Sequence, residues 1–412
     1  MSLPQKLFVK NRQNIAQLLS GNSVLVLFSA PKYPKNGDQF YLYRQQSDLY
    51  YFTGIKQEDT IFLMHKKTNG SIETFLFIRE PDSKLETWEG KKLSQQMAND
   101  ISGIDQVIWN YQFENIFKSV SKGVKTLYLI GEQAYSSKND FKKIFNASKT
   151  KLQKITGPVN LVSARSLIDQ LRLIKSPCEV DAIKKAIGIT NESFQHVLRT
   201  IKPGQYEYEV EAEISYIFKK NGVKSHAYDP IIAGGINACS LHYITNDKPL
   251  NNNDLLLMDF GAEWEYYAAD LSRTIPVSGK FTSRQKDIYE AVLEVQKKSI
   301  DLYVPGNSIN DVNAETKFWM EQRIKQLGLK DAVEVYFPHG TSHFLGLDVH
   351  DVGARDLIFK KGMVLTCEPG LYIKEEKIGV RIENDILIDK TPIDLMSDTI
   401  REPAEIESQM SF

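Results

Sequence analysis

The chain is poor in cysteine and histidine, carries almost no net charge and contains no long apolar run, and each shortage removes a class of function. Its three cysteines, Cys178, Cys239 and Cys367, include no close CxxC pair. That argues against a disulfide framework and fits a reducing compartment; the three read as small buried apolar residues. With 51 Lys and Arg against 52 Asp and Glu, the formal charge is -1, so the broad basic footprint of a nucleic-acid binder is missing. No apolar stretch reaches the roughly eighteen residues that cross a bilayer. The opening Met1-Ser2-Leu3-Pro4-Gln5-Lys6 leads into mixed polar sequence without a signal-peptide core, so the expected location is cytoplasmic, with no membrane contact.

What is present is an ordinary globular composition, 42% hydrophobic and 25% charged. A chain of 412 residues has room for two or three domains, each with its own core. Residues 23–29, 60–64 and 74–78 read as strands, and 91–99 and 113–120 as helices, an alternation that suggests an α/β layer. Near Ala164 the character changes. Ser176-Pro177-Cys178-Glu179 has the serine cap, first-turn proline and acid of a helix start. The expected domains are therefore 1–168, α/β, and 169–412, α+β. The second opens with helices over 179–200 and 207–221. Strands follow over 255–260, 267–277, 363–368 and 379–388, with helices starting near Ser283 and Ile309 between the strand groups.

Three of the seven histidines, His339, His343 and His350, fall within twelve positions. His339 and His343 stand four apart, which on a helix would put both on one face as a zinc site requires. Gly340 and Gly346 argue against a continuous helix there, so spacing leaves the roles of the cluster open.

The acids narrow them. Asp259 ends the apolar strand Leu255-Leu256-Leu257-Met258, and Asp270 lies eleven residues later. A hairpin centred between Trp264 and Glu265 would set the two aspartates opposite each other, with β-carbons about 4.5 to 5.5 Å apart. Two like charges at that separation repel by roughly 3 to 4 kcal/mol at an effective dielectric near 20. Either both are exposed on a polar sheet face, or a cation lies between them. Continuous burial of the strand favours the second, since buried acids need partners. Glu368 ends a further apolar strand, and Arg381, Glu383 and Asp385 share one strand face. Taken together, four acids and a histidine form an oxygen-rich donor set that suits manganese, cobalt or iron better than a closed structural zinc site.

In their order and context, these residues resemble the pita-bread metallopeptidases, in the branch of Xaa-Pro aminopeptidases and prolidases. The resemblance rests on MDFGAEWEYYAADLSRT, HGTSHFLGLDVHD, EPGLY and RIEND. It is extended by YDPIIAGGINACSLHY around His242 and by SDLYYFTGI over 47–55. It implies a pita-bread catalytic domain of α+β class preceded by a smaller α/β, creatinase-like domain.

For the site, the resemblance implies two divalent ions, with Mn2+ first and Co2+, Zn2+ or Fe2+ as alternatives. Asp259 would hold one ion, His343 and Glu368 the other, and Asp270 and Glu383 both. A hydroxide shared by the ions would attack the carbonyl before proline, with Glu368 as proton shuttle. His242 and His350 would donate hydrogen bonds to that carbonyl. His339 would line the proline pocket, and Tyr372 with Arg381 would orient Asp259. Asp48 and Trp88 are further substrate-site candidates, completing a neighbouring copy's site. The implied substrate is a peptide with proline in second place, and the implied assembly a homodimer or tetramer. A prolidase restricted to dipeptides shares every ligand. Methionine aminopeptidase is disfavoured by the domain ahead of the catalytic one. A non-catalytic binding module would show missing ligands, and none is missing.

Overall fold

The structure is a computed structural model that describes residues 3–130 and 139–410. Contacts divide the chain into two compact units, Met1–Leu171 and Arg172–Phe412.

The first unit is built on a six-stranded mixed sheet. In spatial order its strands are Gln106–Trp109, Ile72–Ile78, Ile61–Lys66, Ser23–Phe28, Thr126–Leu129 and Asn160–Ser163. Ser23–Phe28 runs antiparallel to Ile61–Lys66 and parallel to Thr126–Leu129. Its unbroken apolar run is explained by this central place, where both faces are covered. Val24, Val26, Leu63, Phe77, Phe117 and Leu127 form the core on one side. The helix expected over 91–99 lies at Gln95–Ser102, because Ser94 Oγ accepts from Met97 N and sets the start there. Ser47–Ile55 forms the short helix Ser47–Thr53, closed by Gly54 at φ 69°. A β-carbon on Gly54 would lie 2.4 Å from the Phe8 ring, so both the turn and the packing demand glycine.

The second unit opens with Pro177–Thr200 and Glu207–Lys220. Glu179 reaches back to accept from Ser176 N at 2.8 Å, the reciprocal half of the capping box that the sequence announces. Its other oxygen accepts from Tyr267 Oη, which ties this helix to the strands beyond. One antiparallel sheet runs Leu271–Pro276, Leu255–Phe260, Ile231–Gly234. A second runs Val364–Cys367, Asn384–Leu387, Ile393–Asp394, and Gly370–Ile373 pairs with Ile378–Arg381 as a hairpin. Ser283–Ile300 and Ile309–Gln326 are the remaining long helices. Cys367 is buried, whereas Cys178 and Cys239 are only half-buried. Among the described residues no helix is long and apolar enough to cross a membrane.

Two details correct the sequence reading. The hairpin is centred between Glu265 and Tyr266, one residue later than expected: Trp264 pairs with Tyr267, Glu263 with Ala268 and Asp259 with Ser272. Both turn residues have positive φ, 50° and 65°, the two-residue turn whose twist suits a hairpin but which asparagine and glycine ordinarily supply. Asp259 and Asp270 are therefore diagonal neighbours and not opposed. The strand expected over 379–388 is also broken at Ile382-Glu383, with its halves in different sheets. Buried Arg273, on the neighbouring strand, holds the start of the second half, donating to Glu383 O and Asn384 Oδ1 at 2.7 and 2.8 Å, and to Ser272 O at 2.9 Å.

Gly261 lies where the hairpin backbones approach most closely, and a β-carbon there would fall 1.7 Å from Ala269 O. Gly261→Ala must displace backbone beside both aspartates. A loss of about 2 kcal/mol or more in unfolding free energy is expected, and an unchanged denaturation midpoint would contradict this account of the packing.

Candidate metal centre

The break at Glu383 and the irregular hairpin aim acids from separate strands into one space. Leu255–Phe260 supplies Asp259; Asp270 immediately precedes Leu271–Pro276; Glu368 follows Val364–Cys367; and Glu383 lies between two strands. Asp270, His343 and Glu383 each offer a donor atom within 4.8 Å of the others. Glu368 Oε1 is 3.6 Å from His343 Nε2, which is also 3.3 Å from Asp270 Oδ2. Asp259 joins through Tyr228, whose hydroxyl lies 2.6 Å from Asp259 Oδ1 and 2.5 Å from Asp270 Oδ1. These side chains line a cavity of about 550 Å³ that also includes His242, His339 and His350.

One guanidinium organises the acids. Arg381 donates from Nη2 to Asp259 Oδ2 at 2.6 Å, from Nε to Ser272 Oγ at 2.8 Å and from Nη1 to Tyr372 Oη at 2.9 Å. Ser272 Oγ passes the link to Glu383 Oε2 at 2.7 Å. Burial opposes the charge on Arg381, but Tyr372, Asp259 and Glu383 hold it firmly cationic. Tyr372 donates onward to His339 Nε2, and His339 Nδ1 to Gly340 O, both at 2.8 Å. His339 must be neutral for this chain. Burial and then Arg381 lower its pKa to about 3, which agrees.

Four carboxylates against one guanidinium leave three negative charges to be compensated. Burial pushes Asp259 up, with Asp270 adding to it and Arg381 opposing. Glu383 is pushed well above its ordinary value by burial, Asp270 and Glu368. Burial takes Glu368 to about 7, against the pull of His343 and Arg381. Burial opposes the charge on His343, yet Asp270 and Glu368 raise it to about 9. Its Nδ1 faces Phe344 O at 3.1 Å and carries a ring proton there, which leaves Nε2 as the nitrogen turned toward Asp270 and Glu368. Five convergent donors, mostly oxygen and short of positive charge, fit divalent cations.

The other expected residues divide. His350 packs edge-on to His343 with ring centroids 4.4 Å apart; burial and then His343 lower its pKa. His242 is exposed on the cavity wall. Asp48 and Trp88 belong to the first unit. Asp48 is fully buried and meets Arg165 at 2.7 and 3.1 Å, so both its oxygens are committed there. Trp88 is 87% exposed.

Sequence reasoning missed Tyr228 and Ser272, which join the acids; each looks like an ordinary strand-flank residue, and no spacing rule marks it. It also missed the support of the histidine loop. Buried Asp351 receives Arg172 Nη2 at 2.5 Å and Lys175 Nζ at 3.0 Å. Burial opposes its charge, but the two cations keep its carboxyl below the usual range. Asp351 N donates to Phe344 O, closing the segment that carries His343 and His350.

A buried carboxylate cluster of this order belongs to a known class. Residues 181–390 match metallopeptidase family M24, and residues 8–128 match the aminopeptidase P N-terminal domain. The chain belongs to metallopeptidase family M24, and its catalytic unit is of pita-bread type. It is 35% identical to the Xaa-Pro aminopeptidase of Escherichia coli K12, covering 98% of this chain and 97% of that protein. It is 30% identical to Xaa-Pro aminopeptidase 3 of Homo sapiens, over 96% of this chain and 82% of that one. The solved structure of E. coli aminopeptidase P with the inhibitor Pro-Leu superposes with a TM-score of 0.92 at 33% identity, covering 100% of this chain and 99% of that one.

Were Glu368 and His343 to hold a cation, they would do so as carboxylate and neutral imidazole, and binding would expel the protons that these groups hold when no cation is near. The affinity for Mn2+ should fall as pH drops from about 9 through about 7, by up to tenfold per unit for each proton released. Calorimetric titration at pH 7 in buffers of different ionisation enthalpy should record net proton release; none would contradict the assigned protonation.

Proposed function

We propose that the chain is a dimetal aminopeptidase that removes the first residue from peptides with proline in second place. The convergence of Asp270, His343 and Glu383 donors in a cavity also lined by Asp259, Glu368, Arg381 and three further histidines carries this reading. Similarity to Xaa-Pro aminopeptidases along nearly the whole length of both chains supports it over a prolidase or a non-catalytic module.

Asp259 would hold one ion, His343 and Glu368 the other, and Asp270 and Glu383 would be shared. Manganese is the ion of choice on donor type, and a zinc-substituted form of the E. coli enzyme has been solved with product. When bound, such ions acidify water and polarise a carbonyl. The protein's own groups do the rest. Arg381 and Ser272 fix Asp259 and Glu383, so two ligands cannot turn away. Glu368, pushed up to about 7, is suited to take a proton from water and return it to the leaving proline nitrogen. His350, whose pKa is lowered by burial and by the neighbouring His343, would give a ring N–H to the carbonyl oxygen, and His242, also on the cavity wall, would offer a second donor.

His339, with both ring nitrogens taken up by Tyr372 and Gly340 O, brings no free donor to the cavity wall. Such a surface suits the proline ring, whose nitrogen has no hydrogen to donate in the peptide. A cavity of about 550 Å³ holds a short peptide.

Glu383→Gln should abolish turnover and metal loading while leaving the unfolding midpoint nearly unchanged; turnover by the metal-replete variant would refute the two-ion assignment. The manganese-loaded protein should also cleave Xaa-Pro-Yaa tripeptides. Cleavage of Xaa-Pro dipeptides alone would make it a prolidase, and cleavage of neither would favour a binding module.

A further inference from the structure

Glu207 is the first residue of the helix Glu207–Lys220, and its side chain is fully buried. Among the described residues no lysine, arginine or histidine pairs with it. Four donors surround it instead. Oε1 accepts from Gly234 N and Asn237 Nδ2, both at 2.8 Å. Oε2 accepts from Tyr243 Oη at 2.7 Å and Lys248 N at 3.0 Å. The Glu207 backbone N–H donates to Lys248 O at 3.0 Å.

Those partners share one loop. Gly234 ends the strand Ile231–Gly234, Asn237 lies in the 3-10 turn Gly235–Cys239, and Lys248 is where the loop turns back into the fold. Leu241, His242 and Ile244, on the cavity wall, lie between these anchors, and His242 is the immediate neighbour of Tyr243. The loop packs through Ala238, Leu241 and Tyr243 on an apolar cluster, while His242 itself is exposed, so its place depends on how the backbone beside it is held. A buried carboxylate with four donors adds directional hold to that packing, because releasing any donor leaves a buried polar group unpaired.

We propose that Glu207 is the positioning residue for His242: it clamps both ends and the middle of the 234–248 loop and so sets where the His242 ring stands in the cavity. This rests on the reading of His242 as a donor to the scissile carbonyl.

The test uses the full-length, manganese-loaded protein with Glu207→Gln, Tyr243→Phe, His242→Ala and the Glu207→Gln, His242→Ala pair. An amide nitrogen accepts nothing, so glutamine loses two of the four bonds whichever way it turns. In Glu207→Gln, hydrogen exchange over residues 235–248 should accelerate while metal stoichiometry stays the same. Its kcat should fall by about 10-fold to 100-fold, with KM changed far less. Tyr243→Phe, which removes one donor and is less exposed to misfolding, should move both readouts in the same direction by less. The double variant should be no slower than His242→Ala alone, since both act through one ring. Unchanged exchange in both Glu207→Gln and Tyr243→Phe, or additive losses in the double variant, would overturn the proposal. A fully active His242→Ala would refute the catalytic reading of that histidine, and with it the positioning role, even if exchange showed that the clamp exists.

Discussion

The confinement of four carboxylates around one buried guanidinium is the constraint that the catalytic unit is built to satisfy. Each acid alone would be expelled to the surface or protonated in place. Arg381 meets that difficulty only in part, holding Asp259 directly and Glu383 through Ser272. The remaining negative charge is what makes the cluster receptive to divalent cations. A cluster fully neutralised by arginine would be an inert ion-pair network. An irregularity of the fold serves the same end: the strand broken at Glu383 sets that acid between two sheets, where it meets Ser272.

Around this floor the cavity walls carry polar anchors beside their apolar packing. Asp351, between Arg172 and Lys175, fastens the segment with His343 and His350, while Glu207 fastens the segment with His242. Both anchors are buried carboxylates whose recorded partners lie outside the acid cluster, and both act on backbone or on the neighbour of a histidine. Loops held this way can present polar side chains into solvent without a hydrophobic layer behind each one.

Much of this could be read from the sequence, and what could not has a physical cause. The Ser176 capping box, the apolar strand ending at Asp259 and the chemistry of the donor set are local patterns, and local patterns survive in sequence. The hairpin register was misread because Glu265 and Tyr266 adopt left-handed backbone that neither residue favours, so the usual turn signal is missing. The break at Glu383 is not legible because Gly379–Ile388 reads as one good strand; only the pairing of its halves with different partners, Gly370–Ile373 and Val364–Cys367, makes it two. Tyr228 and Ser272 were missed because bridging is a property of three-dimensional proximity.

The Arg172 and Lys175 ion pairs bear on where this protein can be cut. The stretch that matches the metallopeptidase family begins at residue 181, yet both cations lie before it. A catalytic fragment trimmed to the family boundary would keep the four acids and His343 and lose the counter-ions of Asp351, stranding a buried carboxylate beside His350. Such a fragment would carry the whole chemical inventory and lack the means of holding it in place, so the functional edge of the catalytic unit is drawn by two basic residues outside its recognisable signature.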